Sequence, residues 1–205
     1  MVATIFLLMI INFLQVGMIA FAASPLMGEL GVSPQEYSLS TAAYAAVAVV
    51  TISKQRWLVE RLGWKHYILA SLAIFFIGCT VCFSSRNFNQ FLIGHIIMGF
   101  GGAAFMSGAR TLITLFPPGP LGFKGLKGYA YGLTIGMSLS PFLAASLFIY
   151  AAWDYLFLVL MGLCILASVS ASLCLPGVPP KEQLRSQSHP YFLMALATGS
   201  FLTLY

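Results

Sequence analysis

The segment Lys54-Gln55-Arg56-Trp57-Leu58-Val59-Glu60-Arg61-Leu62-Gly63-Trp64-Lys65-His66 carries four of the ten lysines and arginines in a chain of 205 residues. Apolar runs flank it, near 38–53 and 66–84. The whole chain is 60% hydrophobic and 7% charged, whereas a soluble domain carries roughly 25% charged residues. The segment therefore predicts a short polar loop, residues 54–66, between two transmembrane helices.

Apolar segments of similar length recur along the chain. A helix needs about 20 apolar residues to cross a bilayer, and such segments lie near 2–23, 38–53, 66–84, 89–114, 128–149 and 154–175. A further segment, 191–205, is too short for a full crossing. Lipid offers no partner to backbone groups, so the spans must be helical. The sequence predicts an all-α membrane protein with a six-helix half-bundle at 1–175, a cytoplasmic linker at 176–190 and the start of another transmembrane helix at 191–205.

The basic residues are distributed unevenly between the two sides of this predicted bundle. Nine of the ten fall on the loops 54–66, 115–127 and 176–190 or at adjoining span ends, and only Arg86 falls on the other side. Basic residues collect on the cytoplasmic side of membrane proteins. We therefore expect a cytoplasmic N-terminus in a multi-pass protein of the inner or plasma membrane, with anionic lipid headgroups rather than nucleic acid near the basic loops.

No pattern in the sequence indicates an enzyme. There is no nucleophile–base pair, no metal-ligand cluster and no phosphate-binding G-x-x-x-x-G-K-[ST] loop, so we expect no cofactor and no metal. Cys79 and Cys82 form a C-x-x-C. Because it lies inside a span with no second pair, we interpret it as two small apolar residues on one helix face rather than a redox or metal motif.

A stripe of small residues runs along the fifth predicted span, at every fourth position. It predicts close packing against another helix, since small side chains let two backbones approach in lipid. Pro141 is expected to kink this helix. The stripe is interpreted either as simple helix packing or as an interface that slides or rocks. Its members are Gly128, Gly132, Gly136, Ser140 and Ala144.

Polar side chains inside the spans are the candidates for a site. Asn12 and Gln15 lie three residues apart and so share a helix face. They could join helices together or line a polar cavity, and Tyr44 could take part. His95 lies within the fourth span, where an ionisable group usually faces a cavity or a partner. It is interpreted either as a titrating group or as a neutral histidine hydrogen-bonded within the bundle.

Several motifs, in order, resemble those of the major facilitator superfamily. Glu60-Arg61-Leu62-Gly63-Trp64-Lys65 is similar to the motif between spans two and three, with Arg56 where its first glycine is expected. His95-Ile96-Ile97-Met98-Gly99-Phe100-Gly101 resembles the fourth-span Arg-x-x-Gln-Gly-x-Gly, and Phe116-Pro117-Pro118 the break after that span. Gly136 to Ala145 resembles the fifth-span motif G-x-x-x-G-P-x-x-G-G, and Trp153-Asp154-Tyr155-Leu156-Phe157 the start of the sixth span. The resemblance covers residues 1 to about 175 and is strongest to the fourteen-span drug:proton antiporters.

This resemblance implies the N-terminal half of a facilitator-type permease that exports small amphipathic compounds, with a second six-span half supplied by the rest of a longer chain or by another subunit. It implies a cytoplasmic gate that closes through ion pairs, and it places the small-residue stripe against the missing half. The implied cavity residues are Asn12, Gln15, Tyr44, His95 and Met98, and the implied gate residues are Arg56, Glu60, Arg61, Gly63 and Lys65.

Two departures from that branch bear on coupling. Its first-span aspartate corresponds here to Gln15 or Val16, and its fourth-span arginine to His95. The alternative hypothesis is therefore a residual or truncated half-transporter that binds a membrane partner without transport.

Overall fold

The computed structural model describes residues 1–114, 120–150 and 153–175, and every regular element in these ranges is an α-helix. The predicted all-α membrane fold is confirmed, while the predicted linker 176–190 and the segment 191–205 lie outside the described residues. Five of the helices, all except α2, are long and apolar enough to cross a membrane. The helices are α1 (Val2–Phe21), α2 (Ala23–Leu30), α3 (Pro34–Phe83), α4 (Phe88–Thr114), α5 (Pro120–Tyr150) and α6 (Tyr155–Cys174).

Helix α3 is 50 residues long and contains two spans, because it reverses direction at Gly63. The backbone there has φ 75° and ψ 158°, outside the helical region, and glycine adopts positive φ at little cost. Tyr44 and Phe75 both lie within 3.5 Å of a Cβ placed on Gly102, although a straight helix would separate them by about 46 Å. The predicted loop 54–66 is thus wrong: the chain is helical on both sides of one glycine.

The predicted loop 24–37 is also mostly helical. Helix α2 fills its first part and ends at Leu30, and Gly31 follows it in a left-handed conformation with φ 64°. Helix α3 then begins with a capping box. The Ser33 backbone N–H donates to Glu36 Oε2 at 2.8 Å, and Ser33 Oγ accepts from the Glu36 N–H at 3.3 Å. Together the two bonds satisfy backbone donors at the helix start.

The helix contacts agree with six alternating spans. Helices α1 and α5 run parallel, because Val2, Phe6 and Ile10 lie against successive glycines of α5. A fifth span runs parallel to the first only if α3 counts as two spans. Helix α4 packs antiparallel to residues 64–83 of α3, since Gly101 meets Phe75 and Gly94 meets Cys82. The interior is filled by aliphatic and aromatic side chains.

Candidate functional site

A polar cluster lies where α1, the first span of α3 and α4 meet. It consists of Gln15, Tyr44 and His95. The Tyr44 hydroxyl donates to Gln15 Oε1 at 3.1 Å. The His95 ring stands edge-on to the Tyr44 ring, with 5.1 Å between centroids. Gln15 and His95 are each only 2% exposed, whereas Tyr44 is half-buried, so the amide and the imidazole lie inside the bundle and the tyrosine lies at its edge.

His95 carries an unused hydrogen-bonding atom. Its ring also stands edge-on to Phe91 at 5.4 Å, and its Nδ1 has no hydrogen-bond partner among the residues that the structure describes. A buried polar atom left unsatisfied costs about 1–3 kcal/mol. Among the described residues, His95 thus has one buried ring nitrogen without a hydrogen-bond partner, and its interpretation as a titrating group or as a neutral histidine hydrogen-bonded within the bundle stays a prediction.

The structure separates the other two predicted cavity residues from this cluster. Asn12 is half-buried on α1, one turn before Gln15, and makes no side-chain hydrogen bond with any described residue. Met98 is fully buried, with its sulfur 3.8 Å from Cys82 Sγ. Met98 therefore belongs to the packing between α4 and residues 64–83, which corrects its predicted place in a cavity lining.

The residues of the predicted gate are held by contacts inside this chain. Arg56 Nε pairs with Glu60 Oε1 at 3.0 Å, one helical turn apart on an exposed face. The Arg61 guanidinium lies 4.3 Å above the centre of the Trp57 ring. Among the residues that the structure describes, the predicted gate residues form one ion pair, which is exposed and lies within a single helix; a gate that closes through ion pairs stays a prediction.

Lys65 of this motif contacts another span. Its Nζ donates to the Ser172 carbonyl at 2.8 Å. Ser172 lies in the last turn of α6, where carbonyl groups have no intrahelical partner and a cation is favourable. This bond ties the start of the third span to the end of the sixth.

The small-residue stripe of α5 is buried against α1. A Cβ placed on Gly132 would lie 2.6 Å from the Phe6 carbonyl oxygen, and one on Gly136 would lie 3.1 Å from that of Ile10. The Ser140 side chain fills the space beside Gly17 on α1. This corrects the expectation that the stripe faces a missing half: its partner is the first helix of the same bundle. Helix α5 continues without a break through Pro141.

The family assignment follows from a comparison with known proteins. The sequence profile of the Major Facilitator Superfamily matches residues 5–204. The chain belongs to the Major Facilitator Superfamily. Similar proteins include the putative multidrug resistance protein MdtD of Salmonella typhi and that of Salmonella newport, each 25% identical over 175 residues. That match covers 85% of this chain and 37% of each relative, so the chain spans well under half the length of those proteins.

Membership in this transporter family fits the six-span half-bundle and confirms an integral, multi-pass membrane protein. The apolar runs predicted the spans and the motifs predicted the family, but neither predicted which helices pack together. Sequence reasoning missed the roles of Trp57, Gly17 and Ser172. Gly17 is a lone glycine in an apolar run, and the acceptor in Ser172 is a backbone atom, so neither leaves a signal in the sequence.

Proposed function

We propose that this chain forms one half of a secondary transporter that exports small amphipathic compounds, with Gln15, Tyr44 and His95 contributing to its substrate or coupling site. Family membership and the multidrug-resistance names of similar proteins support export. The observation that carries the site is the buried His95 ring with Nδ1 free of partners among the described residues. An ionisable group inside a membrane span is costly and is usually kept for function.

Proton coupling is the part of this proposal that His95 supports. Histidine is the side-chain type that binds and releases protons near neutral pH. The acid and the arginine that the fourteen-span antiporters carry in these spans are replaced here by Gln15 or Val16 and by His95. A proton taken up at Nδ1 would place a positive charge beside the Tyr44 ring and the Gln15 amide, and so would favour a rearrangement of α1 against α4.

The orientation and the second half belong to the same proposal. The asymmetry of the basic residues supports a cytoplasmic N-terminus in an inner or plasma membrane. Transporters of this kind bind substrate at the midplane between two halves. A second six-span half, from a longer chain or another subunit, is therefore the proposed partner, and a small molecule in the bilayer is the proposed substrate.

The test uses the intact protein that carries this chain, reconstituted in vesicles with a fluorescent amphipathic drug and an imposed pH gradient. We expect gradient-driven drug movement in the parent protein and its reduction to the level of protein-free vesicles in His95→Gln. The matched control is His66→Gln, which changes an exposed histidine on the basic side. No drug movement under any gradient would refute transport, and unchanged pH dependence in His95→Gln would refute the coupling role alone.

A residual half that binds a membrane partner is the second candidate, and the burial of Gln15 and His95 favours it. Cysteine crosslinking from Phe142, which is 69% exposed on α5, distinguishes the two. A permanent partner gives one crosslink pattern under all conditions. A transporter gives two patterns that alternate with substrate or pH.

A further inference from the structure

The side chain of Tyr44 is inserted into a space that exists only because residue 102 is a glycine. A Cβ placed on Gly102 would overlap the Tyr44 hydroxyl oxygen, whereas it would lie 3.4 Å from Tyr44 Cζ and 3.5 Å from Phe75 Cε2, both ordinary contacts. The conflict is therefore confined to one atom, the hydroxyl oxygen. That atom donates the 3.1 Å hydrogen bond to Gln15.

A second glycine one turn earlier on α4 serves the backbone of the same residue. A Cβ on Gly99 would lie 3.0 Å from the Tyr44 carbonyl oxygen. The first span of α3 can therefore approach α4 closely, and the Tyr44 ring reaches across to α1 while standing edge-on to His95. Three spans thus meet at one hydroxyl group.

We propose that Gly102 is a positioning residue that seats the Tyr44 hydroxyl between α1 and α4, and so fixes Gln15 and His95 relative to each other. The expected effect of Gly102 on transport rests on the proposed function, whereas its expected effect on stability does not. Any side chain at 102 expels the hydroxyl, breaks its bond to Gln15 and moves the ring that covers His95. Removing the hydroxyl removes the conflict, so Tyr44→Phe should rescue Gly102→Ala.

The test is a double-mutant cycle on the thermal stability of the purified protein in detergent. Gly102→Ala should lower Tm by about 2–4 °C or more, and this loss should disappear when Tyr44→Phe is also present. Gly101→Ala is the control, because its added Cβ would lie 2.5 Å from backbone atoms of Phe75 and Ser71 and not against Tyr44. Tyr44→Phe should therefore not restore the Tm of the Gly101→Ala variant. Gly108→Ala, whose Cβ would meet only Ile68 at 3.7 Å, should leave Tm nearly unchanged.

The outcomes separate this inference from the proposed function. An equal loss of Tm from Gly102→Ala with and without the Tyr44 hydroxyl, or no loss in either background, would overturn the inference. If Gly102→Ala does not fold, recovery of folded protein in the double variant supports it and failure of both variants overturns it.

Transport supplies a further readout in the intact protein. Gly102→Ala and Tyr44→Phe should each raise KM by the same factor, about 2- to 10-fold for one lost hydrogen bond, and the double variant should be no worse than either. Additive increases in KM would contradict the inference. An absence of transport in every variant would contradict the proposed function and leave the stability cycle as the deciding measurement.

Discussion

Gly132→Ala tests the packing of α1 against α5 most directly. The added Cβ would lie 2.6 Å from the Phe6 carbonyl oxygen and 2.7 Å from Met9 Cβ. Both atoms belong to or adjoin the backbone, so a rotamer change cannot relieve the contact. Restoring ordinary contact at about 3.4 Å requires the helices to separate by about 0.8 Å. A gap of 0.5–1 Å loses about a quarter to a half of the dispersion energy of the atoms it separates.

This loss should be measurable because dispersion is the main force between helices in lipid. Overpacking of this kind costs about 1–3 kcal/mol, and each kcal/mol lowers Tm by roughly 2–4 °C in a chain of this size. Three cysteines, Cys79, Cys82 and Cys164, are buried. Their reaction with a fluorogenic maleimide during heating reports unfolding, provided that exposed Cys174 is first replaced by serine.

A graded series of the same substitution supplies the controls. Gly162→Ala on α6 meets nothing within 4 Å and should be neutral or slightly stabilising, since alanine favours helix. Gly128→Ala meets the end of the Val2 side chain at 3.0 Å, which can yield, so its loss should be intermediate. Equal Tm values for the variants of Gly132 and Gly162 would refute the close approach of α1 and α5.

The remaining predictions concern the basic side of the bundle. Gly63→Ala places a side chain at φ 75° and should lower the free energy of unfolding by about 1–3 kcal/mol. The control Gly28→Ala adds a Cβ with nothing within 4 Å and should lower it by less than about 0.5 kcal/mol. The maleimide assay measures both variants. Lys65→Met removes the 2.8 Å bond to α6 and should lower Tm more than Lys54→Met does, and equal shifts would contradict a role for that bond. Glu60→Gln breaks an exposed ion pair and should change stability by less than about 1 kcal/mol, so a larger change in chemical denaturation would show a partner beyond Arg56.

The length of the apolar runs predicted the helices, because lipid leaves the backbone no alternative to them. It did not predict where they end. Residues 54–62 contain lysine, glutamine, arginine, leucine and glutamate, all good helix formers, so polarity ended the membrane span there without ending the helix. The reversal needed a backbone conformation that a side chain disfavours, and Gly63 was the residue in the segment that supplies it.

The site was less predictable than the fold, because a helical period indicates which residues share a face but not which helix that face meets. Gln15 and His95 were recognised as polar groups within spans. Their connection runs through Tyr44, which is 29 residues from Gln15 in the chain. Met98 and His95 share helix α4 but have different neighbours: Met98 packs against Cys82 and His95 against Tyr44.

The partner of the small-residue stripe changes what a second half can contact. Because α1 covers Gly132 and Gly136, those glycines are already used within this bundle. Helix α5 still exposes Tyr131, Ile135 and Phe142, at 59%, 43% and 69%. A second half of the kind proposed above would contact α5 through side chains of that kind rather than through the backbone at Gly132 and Gly136. On that proposal, the close contact at the stripe would keep α1 and α5 together, and movement against a second half would involve the larger side chains beside it.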